Sequence, residues 1–304
     1  MAGKIKKPEI AGDYVHIYRP VGDIYPGPES RCFMTGKTYD IWVPNDFTVI
    51  RGPDDRWHLI GITHPAPPDY VPPDDFCAQT IHDAEWLLFH AASEPGNLRD
   101  ALQPDSWKDK GKLLHPALRP GEPREIYAPH IICANGLYYM IYGPDPMRIA
   151  VSGDLYCWRP AGELFRGHSS SRDPNVILYQ DRFWMTYVSE NKLLGRSSED
   201  LYHWSEPVEV FHMDRPGVPE SPCIIQREDR FYLFWCIYDG RNGPYDNRTF
   251  VYYADTPCRF EPGNLLTQLE AHAPEVVCGE DGETYVFSVE RPHRGVSVAR
   301  LSWL

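Results

Sequence analysis

The sequence predicts an all-β chain, a five-bladed propeller of four-stranded antiparallel blades around a central funnel. Three observations predict it. A strand, turn, strand frame recurs five times in one register. A second short pattern recurs further along each unit. Prolines 129, 174, 222 and 274 hold one place in the frame and are spaced by 45, 48 and 52 residues. Repeats of this period built only of strands are the mark of propeller blades.

The first unit contains "NDFTVIRGPDDRWHLIGI", with Phe47 in the slot that proline holds elsewhere, Asp54 at the turn and Trp57 in the next strand. The proline-rich excursion "HPAPPDYVPPDDF" (64–76) lengthens this unit and is no central strand. The following units carry "YAPHIICANGLYYMIYG", "RDPNVILYQDRFWMTYV", "ESPCIIQREDRFYLFWCIY" and "HAPEVVCGEDGETYVFS". In these, Gly136, Asp181, Asp229 and Asp281 follow the proline by seven residues, and aromatic residues open the return strand. Alternation broken by a tight turn is a hairpin signature.

Further along, "SGDLYCW" (152–158) and "SEDLYHW" (198–204) match, with a looser relative ending at Trp107 and "YYADTPCRF" in the fourth unit. Trp158 and Trp204 read as blade-core anchors. Five blades occupy residues 1–304 as one domain, with 1–39 an extended arm or the strand that closes the ring.

Composition excludes several function classes. Hydrophobic residues make up 42% of the chain and aromatics 13%, enough for a substantial core. The net charge of −13, with no basic tract, argues against a nucleic-acid partner. No apolar run is long enough to span a membrane. The start "MAGKIKKPEI" has no apolar stretch behind it, so no signal peptide is visible and a cytoplasmic location is expected. The 8 cysteines lack zinc spacing and read as reduced thiols. His82, Asp83, Glu85 and His90 read as blade-edge polar residues, because on a strand His82 and His90 lie far apart.

Innermost propeller strands all begin at one end of the axis, so residues at one repeat position form a ring. Two places before the slot stand Asn45, Tyr127, Arg172, Glu220 and His272; one place before it stand Asp46, Ala128, Asp173, Ser221 and Ala273. The turn and aromatic positions stay alike from blade to blade, whereas these rings differ. They gather three carboxylates, an arginine and a histidine. One ionised carboxylate to attack an anomeric carbon or activate water, and one protonated carboxyl to serve the leaving oxygen, suit cleavage of a terminal glycosidic bond. Crowding of like charges supplies the second by raising a pKa. A non-catalytic carbohydrate-binding propeller needs no such division. A glycoside phosphorylase would gather Arg172, His130 and His272 around phosphate.

These motifs resemble the five-bladed propeller glycoside hydrolases: families 43 and 62, the β-fructosidase families 32 and 68, and family 117. "YAP" at 127–129 is similar to the "WAP" of family 43, "RDP" at 172–174 to the third-blade motif of family 32, and "ESP" at 220–222 to "EGP" and "ECP". The chain departs from family 32 at "NDFTV", and His130 stands where an aspartate follows "WAP". The resemblance implies that Asp46 is the general base or nucleophile, that Asp173 orients substrate and tunes the acid, and that Glu220 is the general acid. It also implies a fifth-blade histidine, His272, beneath the site beside a water-held structural calcium, with no cofactor required for the chemistry. The expected substrate is a furanoside or related oligosaccharide, bound with help from Arg172, His272, His130 and Asn45. Trp42 and Trp86 are candidate platforms for a sugar face, with core packing the equal alternative.

Overall fold

A computed structural model describes residues 4–20, 41–66, 85–167, 171–213, 217–238, 248–290 and 295–304. Most of the proline-rich excursion, and Cys32, Cys77, His82 and Asp83, lie outside them. Five four-stranded antiparallel sheets form the blades of a propeller. The first holds β2 (Ile41–Arg51), β3 (Trp57–Ala66), β4 (Leu87–Ala92) and β5 (Lys108–Asp109). The second holds β6 (Tyr127–Ala134), β7 (Leu137–Gly143), β8 (Met147–Ser152) and β9 (Arg159–Phe165). The third holds β10 (Arg172–Tyr179), β11 (Arg182–Ser189), β12 (Lys192–Ser198) and β13 (Val208–His212). In the fourth are β14 (Val218–Arg227), β15 (Arg230–Tyr238), β16 (Arg248–Ala254) and β17 (Leu265–Glu270). The fifth combines β18 (Glu275–Cys278), β19 (Thr284–Val289) and β20 (Val296–Trp303) with β1 (Pro8–Tyr18), which pairs with β20 as the outermost strand. Two ends of the chain thus share one sheet and tie the ring shut.

Each blade is buried on both faces, so its second strand is an almost unbroken apolar run. Alternation then sends neighbouring side chains into different interfaces. Leu59 packs in a cluster with Phe287 of the fifth blade, while Ile60 beside it packs with Met140 of the second. Likewise Trp235 packs with Phe211 of the third blade, and Phe234 with Val286 of the fifth. A further cluster joins Ile141 to Met185, so every blade-to-blade interface has its own core. Each such side chain contributes roughly 1.5–3 kcal/mol by leaving water. These cores set the blade angles, and through them where the inner strands meet.

The repeated "S-x-D-L" stretches fold alike. The Ser152 hydroxyl accepts the Leu155 amide at 2.9 Å, and the Asp154 carboxylate accepts the amides of Tyr156 and Cys157 at 2.8 and 2.7 Å. Ser198 and Asp200 repeat this with Leu201, Tyr202 and His203. Trp158 and Trp204 donate their indole N–H groups to Leu155 and Leu201, at 2.8 and 2.9 Å, and pack on the blade cores.

One sequence expectation changes here. Glu85 and His90, read as blade-edge residues, are buried. His90 Nε2 meets His58 Nδ1 at 2.8 Å, and His58 Nε2 meets Asp54 at 3.0 Å, so a polar chain runs inward from the first-blade turn. Burial lowers the pKa of both imidazoles and keeps them neutral. The described cysteines, Cys133, Cys157, Cys223, Cys236, Cys258 and Cys278, are all free thiols. Among the described residues no helix is long and apolar enough to cross a membrane.

Candidate active site

The proline slot marks a β-bulge. Strand pairing slips between Pro44 and Phe47, between Tyr127 and His130, between Arg172 and Asn175, and between Glu220 and Cys223. A bulge leaves a residue outside the ladder, which is why proline, with no N–H to donate, is tolerated in the innermost strand. The residue before the slot takes the strain. Ala128, Asp173, Ser221 and Ala273 have φ of 34°, 53°, 51° and 47°, in the left-handed region that side chains avoid. Four strained backbones at one repeat position re-aim their side chains toward the axis.

Together they wall a small axial cavity of about 20 Å³, lined by the five slot residues, the five residues before them, and Glu275. Asp46 and Asp173 therefore meet there from the first and third blades. Ser221, from the fourth, joins them: its hydroxyl donates to Asp46 Oδ1, and its amide donates to Asp173 Oδ2 at 3.1 Å. Arg172 lies 3.6 Å from that same oxygen through Nε, and its Nη2 donates to the Pro219 carbonyl at 3.0 Å.

Electrostatics follow from enclosure and crowding. Burial raises the pKa of Asp46 well above the ordinary value; the charges of Asp173, Glu220 and Glu85 add to this, and the Ser221 hydroxyl opposes it. Burial also raises Asp173, while Arg172 and the Ser221 amide hold it down. Glu275 is pushed up to about 8, by burial first and by Asp46 second. The site is a cluster of acids that cannot all ionise together. Glu220 stands half-buried at the bulge of β14, close enough for its charge to act on Asp46.

The remaining expected residues divide. Asn45, next to Asp46, has a buried Oδ1 with no hydrogen-bond partner. His272 is buried; its amide donates to the Ser288 hydroxyl at 2.9 Å, and its carbonyl accepts from the Val289 amide. His130 is half-buried. It lies one place past the bulge, its Nε2 meets the Val176 carbonyl at 3.0 Å, and burial pushes its pKa down to about 4. Trp42 and Trp86 differ from the platform expectation. They are 2% and 1% exposed, with the Lys112 ammonium 4.2 Å over one ring and the Arg124 guanidinium 5.3 Å over the other. Buried rings with a cation on one face leave no surface for a sugar.

Calcium takes six to eight hard oxygen ligands. Among the described residues no three His, Cys, Asp or Glu side chains converge as a metal-holding group. A calcium beside His272 would take almost all its ligands from water, and no step below is routed through one.

Sequence reasoning passed over Ser221, Glu85 and Glu275. Ser221 stood in the ring but carried no charge to draw notice. Glu275 sits one place after the proline slot, outside the two positions whose change of residue type marked the axis.

A five-bladed propeller with an acid-lined axial pocket is the class that fold and site define. No family model matches the chain, and no curated protein sequence matches it. Solved structures do. A thermostable family-43 glycoside hydrolase matches with a TM-score of 0.61 at 17% identity, over 88% of this chain and 91% of that one. An α-L-arabinofuranosidase from Clostridium thermocellum matches with a TM-score of 0.59 at 15% identity, over 84% and 88%. An α-L-arabinanase from Cellvibrio cellulosa, complexed with arabinohexaose, matches with a TM-score of 0.57 at 14% identity, over 86% and 91%. The chain shares the fold of the family-43 glycoside hydrolases across nearly its whole length.

Proposed function

We propose that this protein is a glycoside hydrolase that cleaves a terminal glycosidic bond of an oligosaccharide, with a pentofuranoside or related pentoside the favoured sugar. The observation that carries this reading is the meeting of Asp46 and Asp173, with Glu220 within electrostatic reach, at one end of the axis from three different blades. A cluster of mutually repelling acids is costly to fold, and simple sugar binding gains nothing from it. The fold shared with arabinan-cleaving and arabinofuranoside-cleaving enzymes adds support for the sugar class.

In this reading Glu220 gives its proton to the leaving oxygen as the bond to the anomeric carbon breaks. Asp46 either takes a proton from the attacking water or bonds to the anomeric carbon itself. The raised pKa of Asp46 makes it the stronger base once ionised, and the Ser221 hydroxyl orients its carboxylate. Asp173, held by Arg172 and the Ser221 amide, sets its carboxyl beside Asp46 from the third blade. The Asn45 amide oxygen, buried beside Asp46 with no hydrogen-bond partner, is an acceptor at the edge of this cluster. Phosphorolysis loses support because His130 meets the Val176 carbonyl, and Arg172 is committed to Asp173 and Pro219.

A panel of nitrophenyl arabinofuranoside, xyloside, fructoside and galactoside, assayed with and without phosphate, tests the proposal. Pentoside release independent of phosphate is the expected result. Sugar binding without turnover of any substrate would overturn it. The anomeric configuration of the first product, read by NMR, assigns Asp46 as base or nucleophile.

A further inference from the structure

The residues directly after the slot make a second ring: Thr48, His130, Asn175, Cys223 and Glu275. Four of its members are neutral groups. The carbonyl of the Asn175 side chain accepts the Ile224 amide at 3.0 Å, and its amide lies 3.5 Å from His130 Nδ1. His130 meets the Val176 carbonyl, Thr48 is buried, and burial raises the Cys223 thiol so that it stays neutral. Glu275 alone is an acid. It opens β18, is half-buried, and lines the axial cavity with Asp46, Asp173 and Ser221.

The titratable groups around it are Asp46 from β2, Asp173 from β10 and Cys223 from β14, and none of these is a cation. An ionised Glu275 would add charge to a wall that already carries Asp46. Enclosure and Asp46 together therefore hold its proton on at neutral pH, with release at about 8. The cavity, about 20 Å³, has room for about one water.

We propose that Glu275 is a positioning residue for the reaction at Asp46: a neutral carboxylic acid that donates a hydrogen bond toward the Asp46 carboxylate through the one water the cavity can hold, and so sets the pH at which Asp46 ionises. The Ser221 hydroxyl serves Oδ1 of Asp46. Glu275, from the fifth blade, faces the same cavity and serves the remaining lone pairs. A donor to the charged form lowers a carboxyl pKa, so Glu275 offsets part of the rise that burial imposes on Asp46. This deepens the hydrolase reading above and rests on it.

Two measurements on the full chain test it. In Glu275→Ala the acidic limb of kcat/KM should move up by about one pH unit. Glu275→Gln, which keeps a donor but cannot ionise, should return the limb toward that of the unaltered protein. A limb that stays put in folded Glu275→Ala, or moves as far in the glutamine variant, overturns the proposal; a purely structural role would lower the folded fraction without moving it. Infrared difference spectra from about pH 6.5 to about pH 9.5 should show a carboxylic-acid C=O band that is lost on titration and is missing from Glu275→Gln. The same band persisting in Glu275→Gln overturns the proposal even if the alanine variant does not fold. If no substrate in the panel is cleaved, the hydrolase reading falls, and the infrared comparison still decides whether Glu275 holds the proton.

Discussion

Asp46 and Asp200 carry the same side chain at two ends of one repeat, and the fold drives them in opposite directions. Asp200 sits in an "S-x-D-L" loop, where the His203 ring at 2.7 Å and the amides of Tyr202 and His203 lower its pKa. Its partners are its own neighbours in sequence. Asp46 meets a serine 175 residues away and is raised by burial and by acids from other blades. Where a repeat satisfies its polar groups locally, each copy can keep the same residues, as the two loops do. At the axis five copies share one cavity, and five identical acids would repel each other. The blades must differ there, and that difference makes chemistry available.

The largest expected effect comes from Asp46→Asn. Attack on the anomeric carbon is needed whatever the leaving group, so activity should fall by at least about 10³-fold on natural oligosaccharides and activated aryl glycosides alike. Retained activity on either substrate would remove Asp46 from the reaction.

Glu220→Gln sharpens the comparison between ring members. Protonation of a poor leaving group contributes about 10²–10⁴-fold, and that loss should appear on oligosaccharides but shrink on an activated aryl glycoside. Equal losses on both would make His272 the next candidate for the acid.

Asp200→Ala tests the local half of the comparison. It removes hydrogen bonds at an exposed loop, so the expected cost is about 1 kcal/mol, roughly 2–4 °C in thermal midpoint, with no change in the acidic limb of kcat/KM. The folded pKa of Asp200 lies below its unfolded value. Its contribution is therefore present above about pH 4 and is lost as pH falls through the folded value. Glu275 has the reverse sign. Its pKa of about 8 lies above the unfolded value, so its contribution is present in acid and is lost as pH rises through about 8. Thermal midpoints across pH for Asp200→Ala and Glu275→Gln should diverge from the unaltered protein at opposite ends of the scale. Parallel curves would erase the distinction between the two regions.

The smallest effect concerns thiols. Cys133, Cys157 and Cys278 are exposed and should react in the native protein, whereas buried Cys223 and Cys236 should react only after unfolding. Titration of unreduced, denatured protein that finds fewer than these free thiols would contradict the structure.

Most of the blade architecture was legible in the sequence. Apolar runs, tight turns and the "S-x-D-L" pattern act within a few residues, so the five copies announce themselves by spacing. The bulge was half legible. The recurring proline marked its place, and the change of residue types before it marked the axis, because only positions where blades converge have reason to differ.

That Glu275 joins the axial cavity, and that Ser221 bridges Asp46 and Asp173 there, was decided by tertiary structure alone. The left-handed φ at Asp173 and Ser221 re-aims both, bringing Ser221 onto Asp46 and Asp173, and the start of β18, just past the left-handed Ala273, brings Glu275 to the same wall. Trp42 and Trp86 read as candidate sugar platforms in one dimension, yet packing from neighbouring segments encloses them. The physical reason is range. Hairpins and capping loops are settled by bonds between near neighbours, whereas burial and charge crowding depend on how five separately formed sheets come to rest against one another.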